Sequence, residues 1–521
     1  VLGTSSKLSH LNLTVVPPRR PRCPKPYIGV LSGWGSSAFF GCFTNTLENA
    51  KCALLERVYY HSVGSEFAPP MIPRVSDVYD GLREVTRFFR SVVRVTAPVD
   101  ILAYPKLSYT GRKLAIYQRA AELVHRRGVS RRDAHLKSFV KVEKIQLKPK
   151  RLVPRIIQPR APEYNVAVGR YIKHLEHAIY GHINDMFDHM VNRHMGGPTV
   201  MKGLNCFQQA QAMRNAWDSF AQPTAIMLDA VRFDQHVSRP MLEWEHSIYG
   251  LFYRGRDRAD LMKLLLYQLH NVGRVDTAEG TIKYEVDGCR MSGDMNTAMG
   301  NCLIMSSCVY SLLRKLCIRG HLFNNGDDCC ILVENRDAKT LTDAVKPFFE
   351  QLGFIIDVEG TTHIFEEISF CQTHPVYDGS LWRMVRDPRL VLSKDTTILK
   401  KWSKREWSAY WVALGKCGLA LTYGLPIFQS FYSAMLKFGD GEEFSEGLLR
   451  HVGGAITESG MWQMSRGLDT RVSEITPSAR ASFALAFKTL PQVQYYFEEY
   501  FNQITPCGNR MDFHPERRIH Y

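Results

Sequence analysis

The stretch that most restricts this chain runs Leu322-Phe323-Asn324-Asn325-Gly326-Asp327-Asp328-Cys329-Cys330-Ile331-Leu332-Val333. Two apolar runs flank a cluster of turn-forming residues, the pattern of strand, tight turn and strand. Asn-Gly is the strongest short-range hairpin signal, because both residues accept the positive φ that such a turn uses. Two carboxylates follow at the turn's exit. Neighbouring side chains on a strand point to opposite faces, so one Asp can face a ligand while the other faces sideways. Alone, the turn reads equally well as a solvated acidic hairpin. Its meaning depends on partners elsewhere in the chain.

Charge narrows those partners. Lys+Arg 66 against Asp+Glu 51 leaves +15, with a pI near 9.2. A long basic chain suits a polyanion, above all nucleic acid, with a membrane surface as the weaker rival. At 521 residues it exceeds one compact core, so two or three subdomains are expected. Thirteen cysteines, without regular spacing or a Cys-x-x-Cys pair, predict reduced thiols and argue against a disulfide framework or zinc module. The longest uncharged apolar run, Met295 to Leu313, carries Asn, Thr and Ser and reads as a buried helix rather than a membrane span. The chain opens on Val1 without a signal peptide. It is expected to be a piece of a longer product, with any membrane anchor upstream.

Along the chain, residues 1–26 are Pro- and Arg-rich and predict an extended, polyproline-type linker. Gly111 to Arg127 has Leu114, Tyr117, Ala121 and Val124 on one helical face, with Arg112 and Lys113 among the flanking cations of a surface suited to a nucleic-acid backbone. Over 137–160, Lys137, Lys141, Lys144, Lys148, Lys150, Arg151, Arg155 and Arg160 interleave with apolar residues, and three prolines forbid a continuous helix. Extended strands with cations at alternate positions follow, either an ordinary basic sheet edge or a file of phosphate-gripping groups. Helices are predicted across 163–220 with a break at Gly196-Gly197-Pro198. A buried strand over Thr224–Asp229 ends in a carboxylate, and Asp234 leads to a helix over about 239–253 capped by Ser238.

Further on, a helix over Leu261–His270 and a polar hairpin lead to the loop Gly288–Asp294. A long apolar helix follows, on which Thr297 and Asn301 share a face. A helix over Asp337–Leu352, strands at Phe354–Val358 and Ile368–Cys371, and a mainly helical 390–521 complete the reading. In that last region Trp402, Trp407, Tyr410 and Trp411 lie among Lys400, Lys401, Lys404 and Arg405. Rings among cations suit base stacking, but core packing is the preferred reading for most of them.

These parts, in this order, suit nucleotide transfer. Mg²⁺ takes hard oxygen ligands, usually a few carboxylates plus substrate phosphates, and Asp229 with Asp327 and Asp328 on adjacent strands would supply them. Cations from 141–160 would neutralise phosphates. Choosing ribose needs hydrogen bonds near the 2′-hydroxyl, for which Asp234, Ser292, Thr297 and Asn301 are the candidates.

At this point the chain resembles viral RNA-dependent RNA polymerases, in particular the replicases of tombusvirus-like plant viruses (tombusvirids and umbraviruses). The resemblance rests on Ser292-Gly-Asp-Met-Asn-Thr-Ala-Met-Gly-Asn-Cys302, Asn325-Gly-Asp-Asp-Cys329, Phe139-Val-Lys-Val-Glu-Lys144, Pro154-Arg-Ile-Ile-Gln-Pro-Arg160, Gly169-Arg-Tyr171, and Phe370-Cys-Gln372 with Trp382-Arg-Met-Val-Arg386. It runs from about residue 108 to 390. It implies an α+β right-hand fold of fingers, palm (an antiparallel sheet flanked by helices) and mainly helical thumb. The implied domains are 1–105 as an extension and fingertip-type region, 106–221 as fingers with the basic nucleotide-entry strands, 222–389 as palm with a fingers insertion near 255–287, and 390–521 as thumb.

The resemblance further implies Asp229 and Asp327 as principal ligands of Mg²⁺ (or Mn²⁺), with Asp328 assisting. Asp234 and Asn301 would read the ribose, supported by Ser292 and Thr297. Arg155 would grip the triphosphate, with Lys144, Arg151 and Arg160 as helpers ahead of Lys148. RNA contacts are implied at Gly293, and at Cys371 and Gln372 of the primer grip. Implied partners are template and nascent RNA, NTPs, a viral auxiliary replicase protein and host factors, at membrane-associated sites in the host cytoplasm reached through regions outside this chain. Related enzymes often start without a primer. One departure stands out: no Lys or Arg occurs between Lys346 and Arg383, so the usual basic proton donor for pyrophosphate is missing and His363 or water is left.

The rival from another class is a non-catalytic RNA-binding replication or packaging protein with a degenerate palm. The intact carboxylate set argues against it, since binding alone gains nothing from clustered acids beside RNA. Gly326 before the Asp pair and Asn301 favour ribonucleotides over a reverse transcriptase, and no Gly-x4-Gly-Lys-Ser/Thr loop supports a helicase.

Overall fold

The computed structural model describes residues 13–16, 28–31, 34, 39–64, 66–149, 151–191, 197–439, 443–453, 461–505, 511–513 and 517–519. Of the linker expected over 1–26, only Leu13–Val16 is described, and it is a strand paired in a sheet rather than a free linker; the rest of that stretch, Lys150 and Gly196 lie outside the described residues. The chain combines many helices with mainly antiparallel sheets, which is compatible with the α+β class expected from the sequence.

The centre is a four-stranded antiparallel sheet. Its strands are Pro223–Ala230 (β1), Gly320–Asn324 (β2), Cys329–Glu334 (β3) and Ile356–Thr362 (β4), in the spatial order β2-β3-β1-β4. β1 and β3 are apolar almost throughout because both faces of the sheet are covered. On one face pack Arg239–Tyr249 (α1), Thr297–Lys315 (α2) and Asn335–Gln351 (α3), whose buried residues join Ile226, Leu228, Ile331 and Val333 in one core. Ala225, Met227, Cys330 and Leu332 point the other way, into a second core with the helix Cys206–Trp217 and the C-terminal helices. In that second core Trp411 is 1% exposed and stacks on Trp407 at 5.9 Å, so the ring cluster is mainly packing, as preferred from the sequence.

A five-stranded sheet joins distant segments in the order Leu13–Val16, Thr281–Asp287, His270–Asp276, Leu136–Val140 and Ile156–Ile157. Leu13 stands opposite Tyr284. The basic segment is extended as expected, and Leu136–Val140 alternates buried and exposed residues with Lys137 outward. Elsewhere Gly29–Leu31 lies between Thr397–Ile398 and Met511–Phe513.

Three expectations change. The helix placed at Leu261–His270 is Gly255–Leu266; Gly255 takes φ +53 and the polar turn that follows is helical, with Asp257 favourably placed at its N-terminal end. The strand placed at Phe354–Val358 is Ile356–Thr362. The strand placed at Ile368–Cys371 is instead the approach to a tight reversal: Cys371 (φ +52) and Gln372 (φ +60) are both left-handed, and Phe370 and Thr373 exchange backbone hydrogen bonds at 2.9 and 3.0 Å. The chain must turn there to enter the hairpin Thr373–Tyr377 with Trp382–Arg386. Among the described residues no helix is long and apolar enough to cross a membrane, and all eleven cysteines are free thiols.

Candidate active site

The β2–β3 hairpin forms where the sequence places it, with Asn324 opposite Cys329. Its turn differs from a two-residue Asn-Gly type. Of Asn325 and Gly326 only the glycine has positive φ (+108), and the Asn325 N–H reaches back to the Asp328 carbonyl at 3.0 Å. The reason is Asn324. Its Nδ2 donates to the Gly326 carbonyl at 2.7 Å and its Oδ1 accepts from the Gly326 N–H at 3.2 Å, so one side chain brackets the turn from within. A side chain at position 326 would be strained by the φ, and its Cβ would stand 3.9 Å from Asn301 on α2.

The turn is also held from outside. The Asn324 N–H donates to the Thr199 carbonyl (2.8 Å) and the Met201 N–H to the Asn324 carbonyl (2.9 Å). Lys202 Nζ donates to the Asn325 backbone carbonyl and Oδ1 at 3.1 and 2.9 Å. On the far side Asn325 Nδ2 donates to Cys371 Sγ at 3.1 Å. Burial pushes the Cys371 thiol up to about 12, so it accepts as a neutral group. The Cys371-Gln372 reversal, where a primer-grip strand was expected, therefore abuts the Asp hairpin. Gln372 beside it is exposed.

The carboxylates converge as expected. Cys329 on β3 pairs with Leu228 on β1, so Asp328 and Asp229 stand one step beyond that pair on adjacent strands. Asp229, Asp327 and Asp328 are all exposed at this end of the sheet. The Asp328 carboxyl is raised above its usual range, first because surrounding protein displaces water, then by the charges of Asp327, Asp229 and Glu359. Glu359 sits at a bulge in β4 between Val358 and Gly360, and burial and Asp229 raise it too. Asp357 stands directly across from Asp229. Sequence reasoning missed both acids; the signal lay in Asp357-Val-Glu-Gly360, acids at a strand start with a glycine that accommodates a bulge. Among the described residues no three ligating groups are drawn together tightly enough to hold a metal. The donor set is nonetheless one of hard oxygens whose mutual repulsion a cation would relieve, which fits a divalent metal.

Behind the acids lies the predicted sugar reader. Arg232, left-handed at φ +50, turns the chain between Asp229 and Asp234. Asp234 accepts from Ser292 Oγ at one oxygen and from Asn301 Nδ2 (2.8 Å) at the other. Its carboxyl is raised by burial, against the pull of those two bonds and of Arg290, with Asp327 adding a small push. Thr297 does not reach Asp234. Its hydroxyl donates to the Met291 carbonyl at 3.1 Å and fixes the loop that presents Ser292. Gly293 packs on the basic segment, where a Cβ would lie 3.1 Å from the Gln158 backbone, and the Gln158 N–H donates to the Ser292 carbonyl at 2.7 Å.

The cations divide. Arg155 is outward, 57% exposed, with Glu143 at 3.5 Å, and remains suited to a phosphate. Arg160 is not so placed, which corrects the sequence assignment. It is 1% exposed and donates to Asp294 (2.5 and 3.1 Å), Asn271 (2.6 Å) and the carbonyls of Ala134 (2.8 Å) and Tyr267 (3.2 Å). Its donors are spent on holding the loop Gly288–Asp294 to the helix-and-strand framework. Lys144 donates to the Lys394 carbonyl at 3.0 Å, and Arg151 pairs with Glu56 at 2.5 Å, so both tie the basic segment to neighbouring structure. Arg112 and Lys113 are exposed on the first turn of Gly111–Arg127, with Lys113 over the Tyr109 ring at 5.0 Å. His363 bonds Thr224 at 3.0 Å, five residues back along β1 from Asp229 and thus about 17 Å from the acids at ~3.3 Å per residue. That distance removes it as a proton donor.

A family model described as viral RNA dependent RNA polymerase matches residues 13–508. The RNA-directed RNA polymerase of Tobacco necrosis virus (strain A) is 39% identical over 501 residues, 95% of this chain and 66% of its own length. That of Melon necrotic spot virus is 39% identical over 511 residues, 96% of this chain and 62% of its own. That of Turnip crinkle virus is 38% identical over 483 residues, 91% and 59% respectively. The chain thus spans less than two thirds of the length of these relatives.

Proposed function

The chain belongs to the viral RNA-dependent RNA polymerase family, and on that premise we propose that it carries the nucleotidyl-transfer site of an RNA-directed RNA polymerase copying a positive-strand plant-virus genome. One observation carries the reading: Asp229 and the Asp327-Asp328 pair meet at one sheet end, with the Asp234–Ser292–Asn301 cluster directly behind them, a Cβ at Gly326 falling 3.9 Å from Asn301. Asp229, Asp327 and Asp328 would hold Mg²⁺ (or Mn²⁺), with Asp327 principal and Asp328 assisting. A cation held by these carboxylates would supply charge neutralisation for an attacking 3′-oxygen and a departing pyrophosphate. Arg155 binds the triphosphate, while Asp234 and Asn301 hydrogen-bond the ribose. Cys371 and Gln372, on the reversal that touches Asn325, contact the 3′ end of the nascent strand, and Arg112 and Lys113 contact template RNA.

In this reading the sheet region 222–389 is the palm, 106–221 the fingers with the 255–287 insertion, and 390–521 the thumb. The five-stranded sheet supports the insertion, since it pairs His270–Asp276 with Leu136–Val140. Initiation is primer-independent. Auxiliary viral and host proteins bring the enzyme to membrane-associated sites in the host cytoplasm. The test is template-dependent incorporation of labelled ribonucleotides with Mg²⁺, by the wild type and by Asp327→Ala. Incorporation should occur and vanish in the variant. Incorporation that survives in Asp327→Ala sinks the ligand assignment; RNA binding without incorporation by the wild type returns the degenerate-palm reading.

A further inference from the structure

A buried polar chain runs from the Asp234–Ser292–Asn301 cluster into the protein. Asn301 Oδ1 accepts from Arg290 Nε at 3.1 Å. Arg290 Nη2 in turn donates to Glu245 on α1, and this ion pair is entirely buried, at 0% exposure for both side chains. Glu245 also accepts from Tyr249 (2.6 Å) and Asn296 (2.8 Å), and Asn296 from Gln268 (3.0 Å). The Arg290 N–H donates to the Asp234 carbonyl at 2.9 Å, so the same residue braces both halves of the reader. Gly300 makes room: a Cβ there would lie 2.3 Å from Glu245 and 2.5 Å from Arg290.

The chemistry of the two ends matters. An Asn amide can turn over, exchanging its oxygen for its nitrogen. Arginine only donates and an ionised carboxylate only accepts. Between Arg290 and Asp234, therefore, the Asn301 amide has one orientation, with Oδ1 to the arginine and Nδ2 to the aspartate. Nδ2 is therefore held on the Asp234 side, and Asn301 lies next to the Asp turn, its Cβ 3.9 Å from where a Gly326 Cβ would stand.

We infer that Arg290 is the positioning residue for sugar selection: anchored on Glu245, it fixes the Asn301 amide so that ribonucleotides are preferred over deoxyribonucleotides. The inference rests on the polymerase reading and adds a residue that does not touch substrate. Breaking half of a buried ion pair risks the fold, so two variants serve. Arg290→Lys keeps the charge beside Glu245 but lacks the Nε donor. Glu245→Gln/Arg290→Gln removes both charges together.

The readout is the ratio of kcat/KM for a ribonucleotide to that for the matching deoxyribonucleotide, with Asn301→Ala setting the floor. Losing one hydrogen bond to a polar group predicts that the ratio falls about tenfold toward that floor. Stability alone does not move such a ratio. A soluble variant that loses kcat/KM equally for both sugars, or keeps the wild-type ratio, overturns the inference and leaves the polymerase reading intact. A wild type that incorporates neither sugar overturns both.

Discussion

Arg160→Met separates a structural cation from a substrate cation. The substitution keeps most of the side chain's apolar stem and removes the guanidinium. Asp294, 3% exposed, then loses bonds at 2.5 and 3.1 Å, Asn271 loses one at 2.6 Å, and the carbonyls of Ala134 and Tyr267 lose their donor. Stranding one partner of a buried ion pair costs about 3–5 kcal/mol. A value near 4 kcal/mol is roughly a thousandfold in the folding equilibrium, a large share of a typical ~5–15 kcal/mol total. Urea unfolding followed by tryptophan fluorescence should show the midpoint fall sharply. Arg160→Met/Asp294→Leu, which removes both charges, should recover most of the loss. Arg155→Ala should do the opposite, leaving the midpoint near wild type while raising KM for NTP. If Arg160→Met unfolds like wild type and instead raises KM for NTP, the assignment of Arg160 to structure is wrong.

Lys202→Met keeps the stem and removes both bonds to Asn325. Small displacements of catalytic groups can cost up to about a hundredfold, so kcat should drop by roughly tenfold or more with little change in RNA affinity; an unchanged single-turnover rate would count against the turn being held from this side. Three buried histidines, His236, His246 and His321, are each pushed down to about 4 by burial. A group whose pKa is depressed in the folded state contributes stability that is complete above its unfolded value of 6.5 and is lost as pH falls toward 4. The urea midpoint should therefore decline steadily from pH 7 to pH 4, with a shallower decline in His321→Phe; a midpoint flat across that range would contradict neutral burial.

Much of the site was legible because its residues sit at the ends of strongly patterned elements. Thr224–Asp229 and Leu322–Val333 announce buried strands, and strand ends bring their carboxylates together once the strands are neighbours. Ser292 and Asn301 were legible through the loop-and-helix spacing. What failed to show was whatever depends on the partner rather than the local pattern. Arg155 and Arg160 look alike in a basic run, yet only Arg160 has Asp294 and Asn271 waiting in the interior. Glu245 looks like one more helix surface acid until Arg290 is seen against it. Lys202 carries no motif, because its role comes from Val200 lying beside Asn324. The reversal at Cys371-Gln372 reads as strand from its apolar neighbours, and no glycine betrays its two left-handed residues.

The placement of Gly29–Leu31 sets a timetable for making the molecule. One neighbour, Thr397–Ile398, is translated some 370 residues later and the other, Met511–Phe513, about 480 later. At ~5–20 residues per second, the strand waits roughly 20 to 70 s for its first partner and longer for its second. Throughout that interval it is an open edge on a growing chain, exposed to pairing with whatever strand is near. A ribosome that stops short of Met511 releases a protein in which Asp229, the Asp327-Asp328 turn and the Asp234–Ser292–Asn301 cluster are all present but Gly29–Leu31 has nothing to close against on one side.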